Sequence, residues 1–300
     1  MTKFKDIDIE CPNCNQSKRV SLKFSSINKF NIYFCKLCQN GFTHPVPNNL
    51  TKYYHSNYWI SPGILGKFKS ITFNMFHQRR RHWLKKYLKK GRILEIGAGE
   101  GDFIDLIGNR YEAIGIEFPS AKIKNKNILK TDYLNWQPNN KFDAVIFWES
   151  LEHVAKPLEF LKKSYKLLKN NGVILIEVPR FDSFESKLFK KHWFHLDPPR
   201  HLSHLTNKGQ DILLNRSGYR LIEKKSVLAY EYVIWGFLES MMSIFAIKST
   251  DHFKKNKLPF FFILFIPLIA ISTVAETILF LVNQSPITFI AAKKQNVKTT

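Results

Sequence analysis

The chain has 300 residues, 44% of them hydrophobic, which suits one well-buried core with an appendage or insertion better than two large domains. The formal charge is +22 at pH 7, but the lysines are scattered along the chain. That distribution is compatible with compositional bias, an anionic membrane surface or nucleic acid. The lack of an aromatic-basic RNA-binding motif places nucleic acid last.

All four cysteines lie in the first forty residues, as two C-x2-C pairs: Cys11, Cys14, Cys35 and Cys38. The N-terminus, MTKFKDIDIE, is charged and lacks the apolar core of a signal peptide. We therefore expect a cytoplasmic, reducing location, where paired cysteines are more often metal ligands than disulfides. The spacing predicts a structural zinc site, because four thiolates leave no coordination position open for catalysis. Two disulfides are the alternative.

Residues 1–45 would form this zinc-ribbon module, in which apolar alternation predicts a short hairpin, and residues 46–90 a linker and helical cap. The linker is rich in aromatic residues (Tyr53, Tyr54, Tyr58 and Trp59), which either pack or lie over a substrate. Apolar residues at helical spacing predict a basic helix over about 73–90.

From Arg92 onwards, strand and helix patterns alternate. Predicted strands cover 93–96, 113–117, 127–129, 142–148 and 172–178, and predicted helices cover 102–108 and 157–169. This rhythm predicts an α/β fold with a doubly wound, mostly parallel sheet. A ligand should then bind at the carboxyl ends of the strands.

The first strand ends in a glycine-rich turn, ILEIGAGEGDF, where Gly97, Gly99 and Gly101 let a ligand approach the backbone. Glu117 ends the second strand and is placed to bind two ribose hydroxyls. The turn alone is equally compatible with a dinucleotide. Glu95 before the turn and Asp132 after the third strand favour S-adenosylmethionine.

The glycine turn, Glu117, Asp132, the segment FDAVIFWESLEHV and the segment NNGVILIEVP together resemble class I S-adenosylmethionine-dependent methyltransferases over about residues 90–228. The resemblance implies a Rossmann-like sheet of seven strands whose last strand is antiparallel. It also implies that Glu95 and the turn (Gly97, Ala98, Gly99 and Gly101) hold the methionine end of the cofactor. Glu117 would hold the ribose, and Asp132 with Tyr133 the adenine.

The segment from Glu149 to His153 is similar to the E-x-x-E-H segment of the O-methyltransferases of ubiquinone biosynthesis, in which the acids can hold a divalent cation. Without a cation, Glu149 and His153 would line the methyl-donor pocket or orient the following loop. Methyl transfer is a displacement at a sulfonium, and a hydroxyl acceptor also requires a base. Glu149 and His153 are therefore candidate catalytic residues.

The segment HWFHLDPPRHLSH, residues 192–204, contains four of the ten histidines and is called the histidine loop below. We predict that His195, His201 or His204 is the base and that Arg200 anchors an anionic or sugar group. Packing within the loop is the alternative for each histidine. A four-histidine metal site is less favoured, because the prolines split the group. The D-x-P-R-H-L-x-H-x-T pattern resembles a segment of bacterial envelope-associated methyltransferases, and Thr206 should cap a helix over 207–215.

Strand patterns at 218–226 and 287–292 would complete the sheet, so that the methyltransferase domain comprises 91–229 plus 286–295. The insertion between them, 230–285, contains apolar segments at 230–247 and 258–282. The second is long enough to cross a bilayer, but both flanking strands must join one sheet, which excludes a single crossing. Two crossings would export four lysines in 248–257. A re-entrant or surface-lying helical pair fits better, and a hydrophobic lid or dimer interface is the alternative.

We therefore predict a cytoplasmic methyltransferase at the inner face of the membrane, with S-adenosylmethionine as cofactor and a structural zinc. Its acceptor would be a small molecule, a glycan or a lipid-linked compound. One rival hypothesis is a zinc-ribbon protein that binds or modifies nucleic acid, which would show salt-sensitive binding. The other is a protein that holds the cofactor without turnover.

Overall fold

The structure, a computed structural model, describes residues 9–17, 19–54, 64–121, 123, 125–245 and 258–295, without the side chains of 64–73, 231–234 and 258–266. Tyr58 and Trp59 of the aromatic patch lie outside these residues. The ribbon, residues 9–44, contains β1 (Val20–Ile27), β2 (Phe30–Cys35) and β3 (Asn40–His44). Each strand pairs antiparallel with the next, as the apolar alternation predicts.

A second sheet has seven strands. These are β4 (Gly91–Ile96), β5 (Tyr111–Glu117), β6 (Ile128–Lys130), β7 (Phe142–Trp148), β8 (Leu168–Pro179), β10 (Tyr219–Ser226) and β11 (Ile287–Lys294). Their order in space is β10-β11-β8-β7-β4-β5-β6. The pairs from β8 to β6 are parallel, and β11 is antiparallel to both of its neighbours. The predicted Rossmann-like fold is therefore confirmed.

The described helices are α1 (Ile64–Tyr87), α2 (Asp102–Ile107), α3 (Pro157–Leu167), α4 (Phe184–Phe189), α5 (Asn207–Arg216), α6 (Tyr230–Ile244) and α7 (Leu258–Leu281). Thr206 caps α5 as predicted, because its side chain accepts a hydrogen bond from Gly209 N at 2.9 Å. The predicted helix over 157–169 is two residues too long, because Leu168 already pairs with Phe142 as the start of β8.

The core lies on both faces of the central strands. All but one of the residues of β7 are buried, and so is β8 from Gly172 to Pro179. Parallel strands covered on both faces need such continuous apolar sequence. The carboxyl ends of β4, β5, β7 and β8 therefore meet at one edge of a rigid sheet, and this edge carries the candidate site.

The short strand β9 (Ser203–His204) belongs to the ribbon sheet, not to the central one. It pairs antiparallel with β3, with Gly41 opposite His204 and Phe42 opposite Ser203. The end of the histidine loop is thus the fourth strand of the ribbon. This pairing was not predicted from the sequence, and the predicted domain boundaries stay a prediction.

The insertion forms α6 and α7, which pack against each other. Tyr230 and Thr277 hydroxyls lie 2.9 Å apart, and Met242 packs near Leu268. The insertion also contacts the histidine loop, because Phe194 N donates to Ser240 Oγ at 2.9 Å. In the part of the chain that was described, none of the helices combines the length and apolar character needed to cross a membrane.

Candidate active site and metal centre

The four cysteines meet in the interior of the ribbon as free thiols. Cys11 Sγ lies 3.6 Å from Cys38 Sγ, and Cys14 Sγ lies 3.7 Å from Cys35 Sγ. All four sulfurs lie within 4.8 Å of one another. Zinc–sulfur bonds of about 2.3 Å in a tetrahedron require sulfurs about 3.8 Å apart. The four residues therefore fit a structural zinc ion, and the separations are too long for disulfides.

Burial and the neighbouring Cys35 sulfur raise the pKa of the Cys14 thiol. A bound cation would reverse this effect, because coordinating thiols are deprotonated. A cation bound among the four sulfurs would therefore keep them ionised and close together.

The glycine turn is bonded to the end of β5. Gly97 N and Ala98 N both donate to Ile116 O, at 2.9 and 3.2 Å. Gly97 has φ of 73°, and a Cβ there would lie 2.5 Å from Ser150 Cβ, so only glycine fits. A Cβ on Gly99 would meet no described atom within 4 Å. The turn thus leaves an open cradle at the end of β4.

Glu117, the last residue of β5, borders this cradle, and its binding of ribose stays a prediction. Its Oε2 accepts a hydrogen bond from Gly99 N at 2.9 Å, and its Oε1 accepts one from Phe118 N at 3.0 Å. Each oxygen keeps a second lone pair, so the carboxylate can still accept from two adjacent hydroxyls. Burial raises the pKa of Glu117, and the two backbone donors oppose that effect.

Glu95 lies below the turn at 3% exposure. Burial raises the pKa of its carboxyl to about 8, and Arg80 opposes the effect. In the described part of the chain, Glu95 Oε2 has no hydrogen-bond partner. A buried carboxyl with an unsatisfied oxygen is suited to bind a cationic group of a ligand.

Asp132 and Tyr133 follow β6 but differ in surroundings. Asp132 is exposed and accepts hydrogen bonds from Leu134 N at 3.0 Å and Asn135 Nδ2 at 2.6 Å. Tyr133 is 3% exposed, and its hydroxyl lies 2.8 Å from Ser164 Oγ in the core. Both stand at the predicted strand end, and their binding of adenine stays a prediction.

Two candidate bases, His153 and His201, have tautomers fixed by carbonyl groups. His153 Nδ1 lies 3.0 Å from both Arg200 O and the Tyr54 hydroxyl, and His201 Nδ1 lies 2.8 Å from His195 O. Because a carbonyl only accepts, each Nδ1 carries the hydrogen and each Nε2 keeps a lone pair. The ring centroids are 4.7 Å apart. Burial lowers the pKa of His153 to about 3 and that of His201 to about 4.

The other two candidate bases are His204, which contacts the ribbon, and His195, which packs against α6. The Thr43 hydroxyl donates to His201 O at 2.6 Å, so His204 Nε2 must donate to Thr43 Oγ1, 2.9 Å away. His195 is 1% exposed, and a Cβ on Gly236 would lie 2.9 Å from its Nε2. Burial lowers the pKa of both His195 and His204 to about 3. Their role as base stays a prediction.

Two acids, Glu149 and Glu152, follow β7. Glu149 has a φ of 53°, and its backbone N donates to Glu177 O at 2.8 Å. Glu152 is 3% exposed, and neither carboxylate oxygen has a hydrogen-bond partner among the described residues. Burial and the charge of Glu149 raise the pKa of Glu152. Glu152, His153 and His201 each offer one potential metal-ligand atom, and these three atoms lie within 4.8 Å of one another. The E-x-x-E-H segment therefore meets the histidine loop, without Glu149 in this group.

Arg200, the predicted anion anchor, forms an ion pair within the loop. Its Nη2 lies 2.6 Å from Asp197 Oδ2, and its side chain is 15% exposed. The Arg200 carbonyl bonds to His153 Nδ1, and besides burial the charge of the guanidinium contributes to the lowered pKa of that ring. Binding of an acceptor by Arg200 stays a prediction.

An arginine pair on α1 was not among the residues predicted from the sequence. Arg79 Nη2 and Arg80 Nε form ion pairs with the fully buried Glu177 on β8, at 3.2 and 2.7 Å. Arg80 Nη2 is buried without a hydrogen-bond partner in the described part of the chain. Because the charge of Arg80 also opposes the burial that raises the pKa of Glu95, Arg80 lies near that carboxyl. The signal was available: three consecutive arginines, 79–81, interrupt an apolar helical pattern.

The fold and the site define a class: an α/β protein with a glycine turn after the first sheet strand and an acid ending the next. A family model described as a methyltransferase domain matches residues 74–224, which is half of the chain. The chain therefore belongs to this methyltransferase-domain family.

Two curated relatives match shorter stretches. The ubiquinone biosynthesis O-methyltransferase of Pelagibacter ubique is 31% identical over 141 residues, covering 39% of this chain and 58% of that protein. An uncharacterized protein of Methanocaldococcus jannaschii is 29% identical over 112 residues, covering 36% and 54%. The chain thus spans little more than half the length of either relative.

Among solved structures, a chain of a complex that contains the Haloferax volcanii Trm112 methyltransferase activator is similar, with a TM-score of 0.50 and 12% identity. The match covers 77% of this chain and 95% of that chain. At this identity, the likeness supports the fold alone.

Proposed function

We propose that the chain transfers a methyl group from S-adenosylmethionine to an acceptor bound between the E-x-x-E-H segment and the histidine loop. The observation that carries this proposal is Glu117, whose carboxylate borders the open glycine turn with two lone pairs still available. The membership in the methyltransferase-domain family supports it. S-adenosylmethionine supplies an electrophilic methyl group on sulfur.

The experiment compares S-adenosylmethionine with NAD by calorimetry on the purified full chain. A carboxylate at the end of β5 can bind the ribose of either ligand. A direct comparison of the two affinities is therefore needed to tell which ligand the site prefers. We expect S-adenosylmethionine to bind with a micromolar Kd and NAD not to bind measurably. Tighter binding of NAD would contradict the proposal.

The residues of the site have distinct roles in this proposal. Glu117 orients the ribose, and Glu95 holds the cationic methionine end. His153 or His201 accepts the acceptor's proton at Nε2, the nitrogen that carries the lone pair. Burial disfavours the imidazolium, and an ionised Glu152 beside the ring would compensate for its charge.

The raised pKa of Glu95 leads to a pH prediction. At pH 7 the empty site holds a protonated carboxyl, because its pKa is about 8. An ammonium group of the ligand favours the ionised form, so binding should release nearly one proton and become tighter as the pH rises from 6 to 8. Calorimetry in buffers of different ionisation enthalpy measures the proton count. Glu95→Gln should bind without release, and unchanged release in this variant would contradict the assignment.

A divalent cation is a second candidate for the acceptor side, favoured by the juxtaposition of Glu152, His153 and His201. Two imidazole nitrogens and a carboxylate suit such an ion, which would polarise an acceptor hydroxyl. Titration with Mn²⁺, which the thiolate site disfavours, should show binding that Glu152→Gln weakens at least about tenfold. Glu149→Gln is the matched control and should change the affinity little. Equal effects of both variants would contradict this ligand set.

We also propose that the protein acts at an anionic membrane surface on a lipid-linked or envelope-glycan acceptor. Ile271, Val274, Ile278 and Leu281 are exposed at helical spacing on α7. Exposed Phe184 and Leu188 on α4 stand among the exposed lysines Lys187, Lys190 and Lys191. Exposed apolar side chains and exposed lysines are both features of surfaces that bind an anionic bilayer.

The membrane proposal predicts that the chain sediments with phosphatidylglycerol vesicles. Val274→Glu with Ile278→Glu should lower the bound fraction at least about tenfold, because two charges enter the apolar contact. Both side chains are more than half exposed, so the fold should persist. Ile222→Glu, at an exposed position of β10, is the matched control. Sedimentation that is unchanged in the double variant would contradict the proposed surface.

A further inference from the structure

The ribbon is hydrogen-bonded to the histidine loop through β3. Thr43 N donates to Leu202 O at 2.9 Å, and the Thr43 hydroxyl donates to His201 O at 2.6 Å. His204 Nε2 completes the contact with Thr43 Oγ1. The backbone that carries the candidate base His201 is therefore fixed on one side by a strand of the ribbon.

Residues next to the cysteines make further contacts with this region. Asn13, inside the first C-x2-C pair, bonds to Gly41 O at 3.0 Å and accepts from Ser203 Oγ at 3.1 Å. Asn40, two residues after Cys38, accepts from Thr206 N at 3.0 Å. Each contact is made by the side chain of an asparagine that lies within two positions of a cysteine.

Gly209, in the first turn of α5, shows how closely α5 packs against the ribbon. A Cβ at this position would lie 1.8 Å from Asn40 Oδ1. In addition, the Thr206 hydroxyl donates to Gln39 O at 2.6 Å. The same threonine thus caps α5 and anchors the helix to the residue that follows Cys38.

We propose that metal binding at the four cysteines positions the histidine loop, so that the ribbon controls the acceptor side of the site. The ribbon's core consists mainly of the cysteines with Val20, Tyr33 and Phe42. Such a small core depends on the metal for its folding free energy. Without metal, Asn13, Asn40 and Thr43 lose their fixed positions, and one side of the loop is released.

The opposite side of the loop has its own attachments. Leu202 N donates to Glu152 O at 2.8 Å, and Phe194 N donates to Ser240 Oγ. Loss of metal therefore loosens the loop and leaves it attached to the E-x-x-E-H segment and to α6. The backbone bonds of the glycine turn run to β5, so binding of S-adenosylmethionine should persist. The effect of the ribbon on methyl transfer, as distinct from its effect on the loop, rests on the proposed function.

The experiment measures hydrogen–deuterium exchange on the full chain with zinc and after zinc has been extracted by a chelator under reducing conditions. We expect exchange in 201–209 to rise at least about fivefold, the factor that corresponds to one hydrogen bond. Peptides from β7 and β8 should remain protected and serve as internal controls. Unchanged protection of 201–209 in metal-free protein would overturn the proposal, as would a chain that holds no metal when purified without chelators.

Thr43→Val tests the coupling with the metal still in place. The cysteines are untouched, so zinc should remain bound, while exchange in 201–204 should rise about fivefold. Thr273→Val on α7 is the matched control, because that hydroxyl donates to Ile269 O within its own helix. Exchange in 201–204 that stays at the control level would overturn the proposal. Exchange is measured without methyl transfer, whereas failure of the proposed function would appear separately as failure to bind S-adenosylmethionine.

Discussion

Replacing Glu117 by alanine is expected to weaken binding of S-adenosylmethionine at least about 100-fold. The variant loses two charge-assisted hydrogen bonds to ribose hydroxyls, each of which contributes about 1.5–3 kcal/mol. It also loses the acceptor that holds Gly99 N, so the cradle itself is less well ordered. Calorimetric titration of the variant and the unaltered chain measures the difference directly.

Glu112→Ala is the matched control for this prediction. Glu112 lies on the same strand, but its side chain is 69% exposed and pairs with Arg92. We expect its binding of S-adenosylmethionine to equal that of the unaltered chain. If Glu117→Ala bound the ligand as tightly as Glu112→Ala, the assignment of the ribose site to the end of β5 would be wrong.

Replacing Glu177 by glutamine is expected to lower the free energy of unfolding by about 3–5 kcal/mol. Glutamine has nearly the same shape, but it removes the charge that Arg79 and Arg80 face. Glu177 is fully buried, and the Arg80 side chain is 5% exposed, so water cannot replace the lost partner. Urea unfolding followed by fluorescence measures the loss.

The control for this variant is again Glu112, now replaced by glutamine. Because the Glu112 side chain is 69% exposed, its ion pair with Arg92 should contribute less than about 1 kcal/mol. If Glu177→Gln lowered the free energy of unfolding no more than Glu112→Gln, the buried ion pairs would contribute no more to stability than a surface pair. In that case, the stabilising role of the ion pairs that join α1 to β8 would be wrong.

The central sheet could be predicted from the sequence because its signals are local. The strand Phe142–Trp148 has the predicted bounds, since a continuous apolar run between polar residues allows few other assignments. Thr206 caps its helix as predicted, because a capping side chain bonds within its own turn. The glycine turn and Glu117 could be located in the same way, because the turn directly follows one predicted strand and Glu117 ends the next.

The contacts that the ribbon, the histidine loop and the insertion make with one another could not be predicted. β9 has two residues and joins β3 across about 160 positions of sequence, which leaves no periodic pattern. Burial of Glu152 and its approach to His201 likewise depend on the path of the histidine loop. The apolar sequence of the insertion predicts helices but not their partners, and Glu276 of α7 is buried against Glu185 of α4.

The most direct test of the account is methyl transfer itself. The purified full chain is incubated with S-adenosylmethionine carrying a labelled methyl group and with a membrane extract, and lipid-soluble, glycan and small-molecule fractions are counted. We expect label in one acceptor fraction, far less label with Glu117→Ala, and little label with His153→Asn or with His201→Asn, whichever removes the base, despite intact binding of S-adenosylmethionine. If no fraction carried more label with the unaltered chain than with Glu117→Ala, the proposal of a methyltransferase would be contradicted.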